Sequence, residues 1–246
     1  MTLIFDGDLL AYQSCCAVEE DFKFNEYQHV LVSDERDALD LMAMKIEQAQ
    51  AITNDNKKII MTFTDYPTFR HTEVYQDYKG NRIGKRKPLA LRDVINATKR
   101  YYHTVVYPGL EADDAMALLS TSGDYKDPII VSGDKDMRSV PCTLLRNEEI
   151  EIISEKRADR NWLCQTLTGD KVDNIEGLPG VGPVTAEKIL GDSESVSDMW
   201  DKVVGAYEKK KLSYKSALQS ARLTRILRHG EYNKVTGKVT LWEPTT

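Results

Sequence analysis

The chain has 246 residues, 41% hydrophobic and 29% charged, with a net charge of −6. That is enough for one large α/β domain with a real core and a small appendage. Cys15, Cys16, Cys142 and Cys164 lack zinc-site spacing, MTLIFDGD is no signal segment and no apolar run is of membrane-spanning length, so a zinc module, a secreted disulfide scaffold and a membrane protein are excluded.

In chain order, Thr2–Asp6 reads as a short buried strand. Glu35–Thr53 places Leu39, Met42, Ile46 and Ala49 at spacings of three and four, which predicts an amphipathic helix. Lys58–Thr64 is a strand, and Leu89–Tyr101 is a helix after Pro88. Thr104–Tyr107 is a strand, Glu111–Ser120 a helix and Pro128–Ser132 a strand. Beyond Arg157 the pattern turns helical: Arg157–Leu167, Pro183–Leu190, Val196–Tyr207 and Ser213–Arg228. Lys238–Trp242 is a last strand or an extended return. Strands alternating with helices predict a mostly parallel α/β sheet, followed by a helical subdomain. Trp162, Trp200 and Trp242 read as packing, and the four histidines show no ligand spacing.

The acids fall at strand ends. Asp6 closes the first strand, Asp65 the second, Glu111, Asp113 and Asp114 follow the third, and Asp134 and Asp136 follow the fourth. Open α/β sheets build their sites at the carboxyl ends of their strands, so these acids share one edge. Two carboxylates about 4 Å apart repel by about 4 kcal/mol at an effective dielectric of 20. A crowd of them requires protons or divalent cations, and an all-oxygen donor set suits Mg²⁺ or Mn²⁺ rather than Zn²⁺. With Asp8, Asp170 and Asp173 the set numbers ten, and removing it leaves the chain at +4. Asp8 is either an outer partner of the acids or, as favoured here, the N-cap of the first helix.

Positive charge is local too. Tyr66 to His103 carries nine Lys/Arg against three acids, and Gly205 to Lys234 eight against two. Such a patch is either a solvated helix face, the commoner case for any single charge run, or a local footprint for nucleic acid on an otherwise acidic chain. In LTGDKVDNIEGLPGVGPVTAEKIL, Asp170 and Asp173 are three apart and can join the acids. Gly180 and Gly182 then form a tight turn, and Pro183 opens a helix with free amides that bind phosphate. Cations between the two sets let carboxylates and phosphates share one segment.

These segments resemble the 5′-nuclease superfamily: flap endonucleases, phage 5′→3′ exonucleases and the 5′-nuclease domain of bacterial DNA polymerase I. LIFDG, FTDYPTFRHTEVYQDYKGNR, GLEADDAMA, VSGDKDM and the glycine turn occur in family order from residue 3 to 190. The resemblance implies a PIN-like domain over 1–166, with a basic arch or clamp at 66–102. It implies a helix–three-turn–helix DNA-binding subdomain over 167–232 and a tail over 233–246. Asp6, Asp65, Glu111, Asp113, Asp114 and Asp134 would surround one metal, and Asp136, Asp170 and Asp173 a second. Lys79 would meet the scissile phosphate, Arg82 and Arg86 would steer the 5′ end, and Tyr78 would stack on the terminal base. Arg70, Lys85, Gly180, Gly182, Thr185 and Lys188 would contact DNA.

The implied reaction is two-metal hydrolysis of DNA, 5′→3′ from an end or at a 5′ flap, leaving a 5′-phosphate. RNA of RNA–DNA hybrids would be a further substrate, and K⁺ would sit at the helix–hairpin–helix. A monomer in the cytoplasm, the host's if phage-encoded, in phage DNA replication or degradation, is expected. The 32 residues from Lys79 to Glu111 leave room for one good helix where longer relatives close an arch. A non-catalytic DNA-binding relative would be expected to lack some acids, and this chain has the full set. FDGD also looks like a DxD phosphatase of the haloacid dehalogenase kind, but Leu9 stands where Thr or Val should follow.

Overall fold

The structure, a computed structural model, describes residues 1–54 and 58–244; the last two residues of the expected 233–246 tail lie outside that range. Its centre is a six-stranded sheet. The first strand, β1 (Thr2–Asp6), is buried along its whole length because it is covered on both faces. Leu3 and Phe5 point to one face, and Ile4 to the other. After β1 come α1 (Gly7–Val18), β2 (Glu20–Asn25), β3 (Gln28–Val32) and α2 (Glu35–Ile52). Then follow β4 (Lys58–Thr62), α3 (Leu91–Tyr101), β5 (His103–Val105), α4 (Ala112–Thr121) and β6 (Pro128–Val131). The sheet ends with β7 (Cys142–Arg146) and β8 (Glu149–Ile153), in the spatial order β5-β4-β1-β6-β7-β8. All neighbours are parallel except β7 and β8.

Two hairpins were not anticipated. The β7–β8 pair turns on Asn147 and Glu148, both at positive φ, as a two-residue hairpin turn requires. The β2–β3 pair stands off the body with almost every residue exposed. The alternation of Phe22 and Phe24, and of Val30 and Val32, is the period-two signal that would have found it.

The remaining chain forms α5 (Glu155–Thr168), β9 (Gly169–Asp170), β10 (Ile175–Glu176), α6 (Pro183–Leu190), α7 (Val196–Lys209) and α8 (Tyr214–Thr224). The short strands β11 (Tyr232–Asn233) and β12 (Lys238–Val239) close it. These helices share a second core in which Trp162, Leu163 and Leu167 of α5 meet Leu190, Trp200, Val203 and Tyr207. The expected junction at 166/167 therefore falls inside α5, which belongs to the helical core. Trp242 packs edge-on to Trp162 and Trp200, at 4.8 and 5.0 Å between ring centroids.

The expected helix Ser213–Arg228 stops early, at Thr224. Its end is drawn into the sheet domain: Arg70 donates to the carbonyls of Leu223 and Arg225, and Asp114 accepts from the Leu227 amide. The strand expected to reach Thr64 stops at Thr62 for a related reason. The Thr64 amide donates to Asp8 Oδ2 at 2.8 Å instead of continuing the ladder.

Candidate active site

Four adjacent parallel strands, β5, β4, β1 and β6, end on the same edge, and each leads into one of the anticipated acids. Asp6 ends β1 and caps α1. Its Oδ1 accepts from the Leu9 amide at 2.9 Å and its Oδ2 from the Ser132 hydroxyl at 3.2 Å. The N-cap role expected of Asp8 thus belongs to Asp6, whose backbone is extended, as a cap requires. Asp8 instead fixes the chain leaving β4. Burial, with the charges of Asp8 and Asp134, pushes the Asp6 carboxyl up to about 7 against the hydrogen bonds from Leu9 and Ser132. Asp113 is held well above the usual carboxylate range by burial and then by Asp6 and Asp134.

Glu111 opens α4 in a reciprocal capping arrangement with Asp114. Lys79 Nζ donates to its Oε1 at 2.6 Å, and the Tyr78 hydroxyl and Arg70 Nη1 donate to its Oε2 at 2.9 and 3.1 Å. Burial alone would raise Glu111, but Lys79 and Arg70 outweigh it and bring it down to about 2. Lys79 also lies 3.6 Å from Asp173, to which Arg82 donates as well. Its backbone is left-handed, at φ 55°, an unfavourable conformation for a side-chain-bearing residue that places the amine between the two acids.

At the other end, Asp134 accepts from the Asp136 amide at 2.8 Å. Asp136 is raised to about 6 by burial and the charge of Asp134, against a hydrogen bond with Gln165. Lys135, which the sequence reading passed over inside GDKD, lies 3.8 Å from Asp136 and 3.6 Å from Asp170. Asp170 and Asp173 sit on the β9–β10 turn. Gly169 and Gly177 let that turn close: a Cβ on Gly177 would stand 2.2 Å from the Thr168 backbone. The arch-base loop is laced to it, by the Lys79 amide on the Asp173 carbonyl at 2.9 Å, Asn81 on Lys171 at 2.7 Å and Asn174 on Asp77 at 2.8 Å.

Several expected roles do not fit. Asp114 is fully buried, with both oxygens taken by Arg70 at 2.6 and 2.9 Å and Oδ1 also by Leu227, so it serves as the counter-ion of Arg70. Arg70 is 2% exposed and cannot touch DNA. Tyr78 is 3% exposed, and its hydroxyl is spent on Glu111, so no base stacks on it. Asp65 accepts from the Gly109 amide at 2.9 Å, pinning the loop before α4, and its own amide donates to the Leu110 carbonyl at 2.9 Å. Arg86 pairs with Glu19 at 2.5 and 2.9 Å, at the far end of α1 from the acids. Lys85, Gly180, Gly182, Thr185 and Lys188 are exposed, and Gly182 caps α6 with Pro183 at its first position.

The structure therefore gathers Asp6, Glu111, Asp113, Asp134, Asp136, Asp170 and Asp173 and commits Asp114 to Arg70, while Asp65 is tied at its backbone to Leu110, next to Glu111. Among the described residues no three acidic, histidine or cysteine side chains yet close on one point. Lys79, Arg82 and Lys135 sit between them.

Residues 1–167 match the family model described as the 5′-3′ exonuclease, N-terminal resolvase-like domain. The chain is 25% identical to the exodeoxyribonuclease of Enterobacteria phage T3 over 98% of its own length and 92% of that protein's. It is 31% identical to a flap endonuclease of Shewanella woodyi over 65% of this chain and 69% of the relative. Its fold matches a bacteriophage T5 protein crystallised with metal ions, with a TM-score of 0.67 and 16% identity over 91% of this chain and 88% of the other. By the model that spans its whole sheet domain, and by relatives that match it nearly end to end, the chain belongs to the 5′-3′ exonuclease family.

Proposed function

We propose that this protein is a divalent-cation-dependent 5′→3′ exonuclease and flap endonuclease that cleaves DNA at free 5′ ends, nicks and 5′ flaps. The observation that carries this reading is the acid edge. Buried Asp6 and half-buried Asp113 lie beside each other and beside Asp134, and each is raised toward its neutral form by desolvation and by neighbouring carboxylates. Cations remove that conflict, and carboxylate oxygens are the donors that Mg²⁺ or Mn²⁺ prefers. Asp6, Asp113, Asp134 and Glu111 would hold one ion, and Asp136, Asp170 and Asp173 a second. Bound there, such ions supply charge stabilisation for the attacking and leaving oxygens of phosphodiester hydrolysis.

The chain's own residues do the rest. Lys79, already between Glu111 and Asp173, donates to a non-bridging oxygen of the phosphate being cut. Arg82 flanks it on the solvent side. Tyr78 and Arg70 hold Glu111 in place from behind. Lys85 attracts the 5′ strand, and the amides at Gly180–Gly182 with Thr185 and Lys188 hold a duplex phosphate without reading sequence. These placements support 66–102 as the clamp and the helices after the β9–β10 turn as the duplex-binding unit. RNA of hybrids, K⁺ beside the glycine turn, a monomeric state and a cytoplasmic location complete the reading. No helix among the described residues is long and apolar enough to cross a membrane.

The test is a side-by-side digestion of end-labelled blunt duplex, nicked duplex, 5′ flap and RNA–DNA hybrid with Mg²⁺, mapping product lengths. Cleavage is expected to leave 5′-phosphates and to stop in EDTA. Asp134→Ala and Asp170→Ala should each abolish it while DNA is still bound in Ca²⁺. Full turnover in EDTA would refute the metal reading.

A further inference from the structure

The sheet reverses its direction of growth between β1 and β6. From β1 the chain lays β4 and then β5 on one side, and returns to place β6 on the other. The crevice outside the carboxyl ends at such a reversal is where open α/β sheets take ligands. A cavity of about 240 Å³ occupies that crevice on the α2 face. Asp6 and Ser132, hydrogen-bonded to each other at the acid edge, are among its lining residues, so it adjoins that edge. Leu9 and Leu10 from α1, Ile52 from α2 and Leu145 from β7 give it an apolar side, beside polar residues that include Lys45 and Asn147. Gln13 and Gln48 stand among the lining residues, and Gln48 donates to Glu148 at 2.9 Å, joining α2 to the β7–β8 turn. Gly133 also lines it, within 3.6 Å of Leu9 and 3.8 Å of Gln13 as measured from an ideal Cβ position, which is ordinary contact. The hydrolysis described above makes no use of this space.

We infer that the cavity is a base pocket, holding the unpaired base of the nucleotide attached to the phosphate being cut. This rests on the nuclease reading. An apolar slot accepts the faces of an aromatic ring. Side-chain amides carry both a donor and acceptors, so they can meet any base edge without selecting a sequence. A phosphate is a poorer occupant than a base, because Asp6 and Glu148 stand among the lining residues against one cation, Lys45. A base still stacked in duplex cannot reach the slot. Unpairing costs least at frayed ends, nicks and flaps, so the pocket itself would favour those substrates.

The test uses the full-length protein with labelled Ile, Leu and Val methyls in Ca²⁺. Titration with a 5′-deoxynucleoside monophosphate should move the methyl signals of Leu9, Leu10, Ile52 and Leu145, and deoxyribose 5-phosphate should not. In parallel, kcat/KM is measured on flaps carrying an abasic residue on one side or the other of the cut. The wild type should lose about tenfold on one of the two, the value of a single base contact. Gln48→Trp should show that loss on intact substrate and no further loss on the abasic one, and Glu148→Trp, at its hydrogen-bond partner, should do the same. Unmoved methyls together with equal turnover of intact and abasic flaps overturn the pocket. Methyl shifts without cleavage of any substrate leave the pocket standing and overturn the nuclease reading instead.

Discussion

Arg70 explains how Asp114 lies with no exposed surface at all. Its guanidinium takes both oxygens of Asp114 and one of Glu111, and its remaining donors reach the Leu223 and Arg225 carbonyls. Arg70→Met would leave two buried carboxylates without that partner, a loss of about 3–5 kcal/mol. The urea midpoint should fall accordingly, and adding Asp114→Leu should restore part of it; an unchanged midpoint in Arg70→Met would show the ion pair to be unimportant. Lys79 differs, because its partners are the acids of the site. Lys79→Ala should slow single-turnover cleavage about a hundredfold, the usual cost of one preorganised donor to developing charge. Duplex binding, measured separately in Ca²⁺, should barely change, and equal losses in both would make Lys79 a mere binding residue. The sequence reveals that GLEADDAMA is a cluster of acids but not that Asp113 and Asp114 differ. What separates them is Arg70, 44 residues away in the chain.

At the level of elements, the β9–β10 turn couples the two parts of the molecule. It carries Asp170 and Asp173, and the loop bearing Lys79 and Arg82 is hydrogen-bonded along it. Gly177→Ala would force a Cβ into the Thr168 backbone, so the turn must open. The expected result is a higher half-saturating Mg²⁺ concentration for cleavage and faster amide exchange in 169–177, at a cost of about 1–3 kcal/mol in stability. Normal Mg²⁺ dependence in that variant would mean that the turn does not position the acids. The parallel strands and the amphipathic helices were legible because their apolar periodicity is local. Pro183–Leu190 was bounded to the residue, since Gly182, Pro183 and Gly191 punctuate it. The early stop of α8 was not legible, because the groups that capture its end belong to Arg70 and Asp114. Nor was the exposure of β2–β3, since alternation indicates a strand but not whether anything covers it.

Across the whole molecule the opposing titrations at the acid edge decide how stability depends on pH. Glu111 is lowered to about 2 from its ordinary 4.5, so it contributes stability above 4.5 that is lost as pH falls toward 2. Asp6 works in the opposite sense. Its ordinary value is 3.8 and burial raises it to about 7, so between those values the unfolded chain ionises while the folded one keeps its proton. Stability therefore falls as pH rises from 3.8 and levels off above 7, by on the order of 4 kcal/mol for this group alone. Asp136, raised to about 6, and Asp113 add in the same direction. A divalent cation binds the ionised forms and competes with these protons, so its stabilisation must grow with pH over the same window. Melting curves in EDTA and in saturating Mg²⁺ should nearly coincide near pH 4.5 and separate by roughly 5–10 °C at pH 8. Asp6→Asn should remove part of the decline in the EDTA series and shrink the separation. A gap between the two series that stays constant from pH 4.5 to 8 would mean that the buried acids are already balanced without a cation, and the acid edge would then be a structural feature rather than a metal site.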